Sequence, residues 1–236
     1  MSYTIKILKW ESDFFKKKIG EVLMDLPLKE PITLEDHYDF IITKQKEESK
    51  IKIKGFTNSY KEEKIIFSKN LEKLDLPLLA TTTILDTDKA PIKADLLFDL
   101  AYESGKHSRF KQDALFKDSE FEKLYQCWVI NSINKTFGDK VFYILDNEVP
   151  TAFVTLNLKD NIGQIGLIAV DKHYQGQGLG KQIIKYIESY CVNHTISILK
   201  IPTQAHNKNA SGFYTKLGYH IIQQDIIKHF WLKKIL

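Results

Sequence analysis

The pattern of hydrophobic and polar residues changes in character near residue 110. Before that point the apolar runs are short and predict four brief strands, at Tyr3 to Leu8, Glu21 to Leu26, Phe40 to Thr43 and Ile65 to Phe67. A helical pattern follows from Lys93 to Ser104, and residues 105–110 are predicted to form a loop. The first part of the chain is therefore a mixture of strands and helices.

The second part of the chain is more regular and begins with a helix predicted from Asp118 to Thr136. An antiparallel meander of three strands follows, at Val141 to Leu145, Pro150 to Leu158 and Gly163 to Val170. The helix predicted from Leu179 to Val192 joins the third strand to a strand at Ser197 to Ile201. A helical crossover of this kind makes the two strands that it joins parallel neighbours.

The end of the chain completes a sheet flanked by helices. A helix is predicted from Asn207 to Leu217, followed by strands at Tyr219 to Ile222 and Ile226 to Leu232. The predicted fold is α/β (α+β), with a mixed, mostly antiparallel sheet. We place a domain boundary near residue 110, between a smaller N-terminal α/β domain (1–110) that contributes to acceptor binding and a second domain (111–236).

Composition limits the class of protein. The chain has 236 residues, 43% hydrophobic and 12% aromatic, which is enough for a sizeable core and excludes disorder as the main state. No apolar run approaches the length of a membrane-spanning helix, so no membrane partner is expected. No signal peptide is visible, and the expected location is cytoplasmic. Cys127 and Cys191 are too few and too far apart for a disulfide framework or a zinc site, so no metal is implied.

The charges are unevenly distributed along the chain. From Asp171 to the end, nine lysines oppose three acidic residues, whereas the whole chain carries only +4. A basic block of this kind would suit a small polyanionic ligand, although an ordinary solvated lysine surface has the same pattern. The low total charge does not favour nucleic acid as a partner. Arg109 is the only arginine, so bidentate recognition of phosphate or carboxylate has one location.

A glycine-rich segment lies between the third meander strand and the helix that follows it. Its residues are Gln175, Gly176, Gln177, Gly178, Leu179, Gly180 and Lys181. Glycines let the backbone approach an anion there, and the new helix presents unpaired N–H groups. Gln175 and Gln182 stand where a Walker loop needs glycine and Ser or Thr, and Lys181 stands where a dinucleotide fingerprint needs its third glycine. Neither of those two phosphate loops is present.

This segment, after a strand that ends in Ile168-Ala169-Val170, resembles the pyrophosphate loop of the GNAT superfamily of acyl-CoA N-acyltransferases. A second segment at the appropriate distance resembles that superfamily's other signature helix and the strand after it. It reads Asn207-Lys208-Asn209-Ala210-Ser211-Gly212-Phe213-Tyr214, followed by Leu217-Gly218-Tyr219. The resemblance covers roughly residues 140–236 and implies a GNAT fold with acyl-CoA as co-substrate.

The resemblance assigns roles to individual residues. Residues 175–181 would hold the pyrophosphate of CoA, Asn207 would bond to the pantetheine, and Tyr214 would protonate the departing thiolate. Gly166 fits a bulge in its strand, which would leave backbone groups at Ile168 and Val170 free to pair with the pantetheine arm. Plainer interpretations remain open, because Tyr214 also fits a core position and Asn207 also fits a helix N-cap.

One expected component is missing from the sequence. Many members of the superfamily carry a carboxylate on the third strand or its neighbour as the general base, but residues 163–168 contain no acid. A water chain, or an acceptor amine of low pKa, would then have to replace it. An amino group on a sugar ring fits that requirement better than a lysine side chain does.

Two earlier segments resemble the nucleotide-sugar branch of the superfamily, typified by dTDP-fucosamine acetyltransferase. One runs from Leu8 to Gly20, and the other begins at Ser108-Arg109-Phe110 and continues to Trp128. The resemblance makes Arg109 and Phe110 the expected acceptor-binding residues, although a plain surface arginine is an equal alternative. Trp10, Phe14 and Phe15 could stack on a nucleobase, with core packing the simpler explanation for at least two of them.

The sequence therefore predicts transfer of an acyl group, most simply acetyl, from acyl-CoA to the amine of a dTDP-linked amino-deoxy sugar for surface-polysaccharide biosynthesis. Direct attack by the amine is expected, because Cys191 falls on a helix interior face and Cys127 in a packed helix. The alternatives are the same fold acting on a peptide, lysine or polyamine amine, and a non-catalytic CoA-binding module. The expected partners are small molecules, and the sequence leaves homo-oligomer formation open.

Overall fold

The computed structural model describes residues 3–23, 30–72 and 82–233. Its strands are β1 (Thr4–Ile7), β2 (Ile19–Leu23), β3 (Phe40–Gln45), β4 (Phe56–Asn70), β5 (Leu85–Asp86), β6 (Lys140–Asp146), β7 (Val149–Lys159), β8 (Ile162–Val170), β9 (Ile198–Gln204) and β10 (His220–Leu232). Its α-helices are α1 (Lys9–Phe15), α2 (Phe98–Gly105), α3 (Arg109–Gln112), α4 (Asp118–Ile133), α5 (Leu179–Asn193) and α6 (Lys208–Lys216). None of the helices in the described ranges is long and apolar enough to cross a bilayer.

The described strands form a single sheet in the order β1-β2-β3-β10-β4-β9-β8-β7-β6-β5. Most neighbours are antiparallel; β2–β3 and β8–β9 are parallel. The sheet is therefore mixed and mostly antiparallel, as predicted. Strands from both sides of residue 110 pair with one another, because β10 lies between β3 and β4. The domain boundary near residue 110 stays a prediction.

The two longest differences from the predicted elements lie in β4 and β10. The sequence predicted only Ile65 to Phe67 in β4, because the first half of this strand is a polar run without alternation. The two strands predicted near the end are one continuous strand, β10, which carries Gln224 and Asp225 through its middle. These polar residues are accommodated because Gln224 bonds to Glu63 (3.1 Å) and Asp225 pairs with Lys44 (3.2 Å).

Smaller differences affect the segment before α4. The helix predicted from Lys93 to Ser104 is a 3-10 turn at Ala94–Leu97 that continues into α2. The predicted loop at residues 105–110 is shorter than expected, because Arg109 begins the short helix α3. Residues 24–26 of the second predicted strand lie outside the described residues.

Helices cover both faces of the sheet and bury two large apolar clusters. Helix α4 packs on one face, where Phe121, Leu124 and Val129 are buried. Helix α5 packs on the other face, together with α6. Burial of this much apolar surface is the main source of stability for both layers.

The pairing of β8 with β9 is the feature of the fold that positions the site. The crossover through α5 makes the two strands parallel, as predicted, but their register runs only from Ile162↔Ile198 to Gln164↔Lys200. Beyond Gln164, β9 continues along β4 as far as the pair Lys64↔Gln204, while β8 continues along β7. The two parallel strands therefore separate, and a gap opens in the middle of the sheet.

Candidate functional site

A cavity of about 350 Å³ occupies the gap between β8 and β9. Three parts of the chain line it: the separating strands with the start of α6, the middle of β4, and a wall from α1, α3 and α4. The lining residues from the strands and α6 that matter below are Gly166, Ile168, Asn207 and Tyr214. The cavity thus brings the C-terminal motif residues together with residues more than 100 positions earlier in the chain.

The edge of β8 that faces the gap has the backbone geometry anticipated from Gly166. A bulge interrupts the register with β7 between Val154 and Leu156, and the hydroxyl of Thr155 accepts a hydrogen bond from the N–H of Leu167 at 2.8 Å. A Cβ on Gly166 would lie 2.7 Å from that hydroxyl, so a side chain there would displace it. On the gap side, no strand of the described residues pairs with Ile168 and Val170, since the pairing of β8 with β9 ends at Gln164.

The glycine-rich loop leads directly from this edge into α5. Gly176 and Gly178 have φ of 79° and 86°, a conformation that other residues adopt only with strain. The amide of Gln175 donates to the carbonyl of Val170 at 3.0 Å, and that of Gln177 donates to His173 at 3.2 Å. Gly180 and Lys181 lie in the first turn of α5, where backbone N–H groups have no intrahelical acceptor. The loop therefore presents a helix N-terminus that suits an anion.

Helix α6 supplies the other two C-terminal site residues. Asn207 is its N-cap and accepts a hydrogen bond from the N–H of Ala210 at 3.2 Å, while it also lines the cavity. Tyr214 is buried against Phe67, Phe213 and Tyr219, and burial raises the pKa of its phenol. Asn207 therefore serves as a helix cap and Tyr214 as a core residue, and both also line the cavity.

A buried carboxylate ties the helices on this side together. Glu188 of α5 is fully buried and accepts from Lys69 (2.8 Å), Tyr219 (3.0 Å) and Lys185 (2.7 Å). Lys69 also donates to the carbonyl of Leu217 at the end of α6 (2.9 Å). This cluster joins α5, α6 and β4 behind the cavity.

Strand β4 places a carboxylate on the cavity that sequence reasoning missed. Glu62 is buried, lines the cavity and accepts a hydrogen bond from the hydroxyl of Tyr60 at 3.2 Å. Burial raises the pKa of Glu62, an effect that the nearby charge of Arg109 partly offsets. A buried carboxyl with a raised pKa is suited to accept and release a proton. The only sign of Glu62 in the sequence is its alternation with Lys64 along β4, and this alternation lies within a run of polar residues.

The two cations at this end of the cavity are Arg109 and Lys64. Arg109 is half-buried at the start of α3, lines the cavity, and lies over the ring of Phe110 at 4.8 Å. Phe110 is itself buried, lines the cavity and packs against Phe15 and Trp128. Both residues that were expected to bind the acceptor therefore reach the cavity.

Helix α3 is anchored by one buried carboxylate. Asp113, which follows α3, accepts from His229 (2.7 Å) and Trp231 (3.0 Å) of β10 and from Ser59 of β4 (3.1 Å). Its own N–H donates to the carbonyl of Arg109 at 3.0 Å. Burial lowers the pKa of His229 to about 4, so its ring is neutral and holds its proton on the nitrogen that faces Asp113.

Aromatic side chains form the rest of this end of the cavity. Trp10 and Phe137 line the cavity and are 43% and 52% exposed, which is unusual for such large side chains. Trp128 stands parallel to Phe137 with ring centres 6.1 Å apart, and Phe14 stacks beneath Trp10 at 5.2 Å. Of the three aromatic residues proposed from the sequence, only Trp10 lines the cavity, while Phe15 lies in the core.

Neither cysteine lies on the cavity. Cys191 is buried inside α5, and burial raises the pKa of its thiol to about 12. Cys127 bonds to Asn131 within α4 (3.3 Å). Across the described ranges, no group of three or more His, Cys, Asp or Glu side chains could hold a metal ion. The polar residues that line the cavity include acids, bases and hydrogen-bond donors.

The separated parallel strands, the bulged β8 and the loop into α5 define the fold class of GNAT acyltransferases. A GNAT-family protein from Novosphingobium aromaticivorans superposes with a TM-score of 0.54 at 12% identity, over 85% of this chain and 78% of that one. A conserved protein of unknown function from Staphylococcus epidermidis gives 0.55 at 13% identity, over 84% and 74%. At these identities the likeness shows the fold.

Sequence comparison leads to the same class. Residues 103–219 match the family described as Acetyltransferase (GNAT) family, a stretch that contains the loop, Asn207 and Tyr214. The uncharacterized N-acetyltransferase YobR of Bacillus subtilis is 26% identical over 114 residues, 48% of this chain and 40% of that protein. An uncharacterized N-acetyltransferase of Methanocaldococcus jannaschii is 25% identical over 121 residues, 48% of this chain and 52% of that one. These comparisons support a GNAT acetyltransferase for the matched residues 103–219, and the matches span about half or less of these curated relatives.

Proposed function

We propose that this protein transfers an acyl group from acyl-CoA to an amine held in the cavity, with Glu62 as general base. The separation of β8 from β9 carries the proposal, because it opens a cavity that joins a CoA-type edge to a buried carboxylate. The pantetheine would lie along Ile168 and Val170, and the pyrophosphate would lie at the loop before α5. The thioester would then end near Tyr214 and Asn207.

The reaction needs a neutral amine, and burial in the cavity favours one because desolvation lowers the pKa of an amine. The amine nitrogen attacks the thioester carbon, Glu62 takes the proton from nitrogen, and the C–S bond breaks. No acyl-enzyme is needed, in keeping with the position of both cysteines away from the cavity.

Tyr214 would assist the departure of the thiolate. An ordinary phenol has a pKa of about 10 and the thiol formed here one of about 8.5. Burial raises the pKa of Tyr214 further, which keeps its O–H intact but makes full proton transfer less favourable than from a free phenol. We infer that its main contribution is a hydrogen bond to the developing sulfur charge, strongest in the transition state.

The base assignment predicts a pH profile. The carboxylate form is needed, so kcat/KM should rise with pH through the pKa of Glu62, which lies above the usual value for glutamate. Glu62→Gln should lower kcat/KM by about 10²-fold or more and remove that rise. Glu63→Gln is the matched control, because Glu63 is the next residue on β4 and does not line the cavity. Equal profiles for the two variants would contradict the assignment.

We propose a dTDP-linked amino-deoxy sugar as the acceptor. The exposed rings of Trp10 and Phe137 support a ligand with a flat group, such as a nucleobase. Acetyl transfer should therefore appear by mass spectrometry on a dTDP-3-amino or dTDP-4-amino 6-deoxyhexose, and not on a lysine peptide or spermidine. Transfer only to the peptide or to spermidine would overturn the acceptor and keep the acyltransferase.

A further inference from the structure

Two half-buried cations lie together at the end of the cavity that is proposed to bind the acceptor. Arg109 and Lys64 both line the cavity, and neither makes a hydrogen bond or ion pair with a side chain in the described part of the chain. Each is close enough to influence the other, since the charge of Arg109 and burial both lower the pKa of Lys64. A half-buried cation without a partner is costly, so this arrangement indicates a group that is bound there.

The nearby carboxylates act on the two cations through their charge, but none of those in the described residues forms an ion pair with either cation. Asp225 lies opposite Lys64 in the pairing of β4 with β10, but it forms ion pairs with Lys44 (3.2 Å) and Lys46 (2.7 Å) instead. The two carboxylates that line the cavity, Glu11 and Glu62, form no ion pair with either cation. Glu62 accepts the hydrogen bond of Tyr60 at 3.2 Å, and burial raises its pKa.

Contacts of α3 with neighbouring elements also hold Arg109 in place. Its ring contact with Phe110 and the bonds of Asp113 to β4 and β10 fix the short helix that carries it. A guanidinium that is immobilised but unpaired keeps its planar set of N–H donors available to a ligand. Lys64, on the central strand, adds a point charge to the same space.

We propose that Arg109 and Lys64 form a subsite for a phosphate group of the acceptor. This inference rests on the proposed function, because it assigns the part of the acceptor that carries negative charge. The guanidinium would bind two phosphate oxygens side by side, and Lys64 would bind a third. The subsite is separate from the loop before α5, which lies on the CoA side of the cavity.

The single arginine provides a direct probe of this subsite. A chain labelled with ¹⁵N-arginine gives one Nε–Hε resonance, that of Arg109, in a two-dimensional NMR spectrum. The protein is first saturated with CoA, so that the pyrophosphate loop is filled, and inorganic pyrophosphate is then added at constant ionic strength. The resonance should shift and saturate as the phosphate binds.

Two variants make the titration decisive. Lys64→Met should weaken pyrophosphate binding about tenfold or more, as expected for the loss of one charge-assisted bond. Lys200→Met is the control, because Lys200 is a half-buried lysine of β9 that does not line the cavity. No shift, a shift that CoA abolishes, or equal weakening in both variants would overturn the subsite. The titration measures no turnover, so its failure would leave the acyltransferase proposal in place. Conversely, a protein that shows the shift but has no acyltransferase activity would leave the subsite in place.

Discussion

Replacing Glu188 with glutamine tests whether the buried carboxylate behind the cavity organises the two helices. Glu188 is fully buried and Lys69 is 12% exposed, and their atoms lie 2.8 Å apart. Glu188→Gln keeps the shape but leaves the ammonium of Lys69 without a counter-charge in a site that excludes water. Removing one partner of a buried ion pair costs about 3–5 kcal/mol of stability. We expect a loss at the lower end of this range, because the amide oxygen of glutamine can still accept a hydrogen bond from Lys69.

The assay is urea unfolding at neutral pH with two spectroscopic probes, so that a two-state transition can be checked. Glu48→Gln is the matched control: its partner Lys61 also lies 3.0 Å away, but both side chains are about half exposed. That exposed pair should contribute far less, because water screens its charges. The double variant Glu188→Gln/Lys69→Met should recover part of the loss, because it removes the unpaired charge. If Glu188→Gln costs no more than Glu48→Gln, the cluster does not hold α5 and α6 as argued.

Two further predictions concern groups on either side of the cavity. Tyr214→Phe should lower kcat with little change in the KM for acyl-CoA, since its hydrogen bond is strongest in the transition state; unchanged turnover in a thiol-release assay would remove Tyr214 from the mechanism. His229 should make stability fall as pH drops from about 6.5, where the unfolded imidazole takes up a proton, to its folded pKa of about 4. Acid titration of the unfolding free energy should show this loss, and His229→Gln should flatten it; an identical slope in the variant would mean that other groups carry the effect.

The parts of the fold that could be predicted depend on local signals. The meander, the crossover helix and the loop at residues 175–181 each have their spacing or turn residues within a short stretch, so the parallel pairing of β8 with β9 followed correctly. The lengths of β4 and β10 were underestimated because the polar segments of these strands are stabilised by neighbouring strands. A pattern within one strand contains no information about such partners.

The two ends of the cavity differ in the same way: one is built from a short stretch of sequence and the other from distant strands. Tyr214 and Asn207 belong to one short motif, whereas Glu62 comes from a strand about 150 residues earlier and reaches the cavity through the pairing of β4 with β9 and β10. The expectation of an acceptor amine without a protein base followed from residues 163–168, which contain no acid. The nucleotide-sugar acceptor remains a proposal, because the shared fold and the GNAT family match do not bear on the acceptor.

The release of CoA thiol from acetyl-CoA tests the central claim most directly. We expect release in the presence of a dTDP-linked amino sugar, equimolar with a mass gain of one acetyl group on that amine. Release should be close to background without an amine and reduced about 10²-fold or more in Glu62→Gln. Protein that binds CoA but releases no thiol with any amine tested would contradict the acyltransferase, and full activity of Glu62→Gln would contradict the site described here.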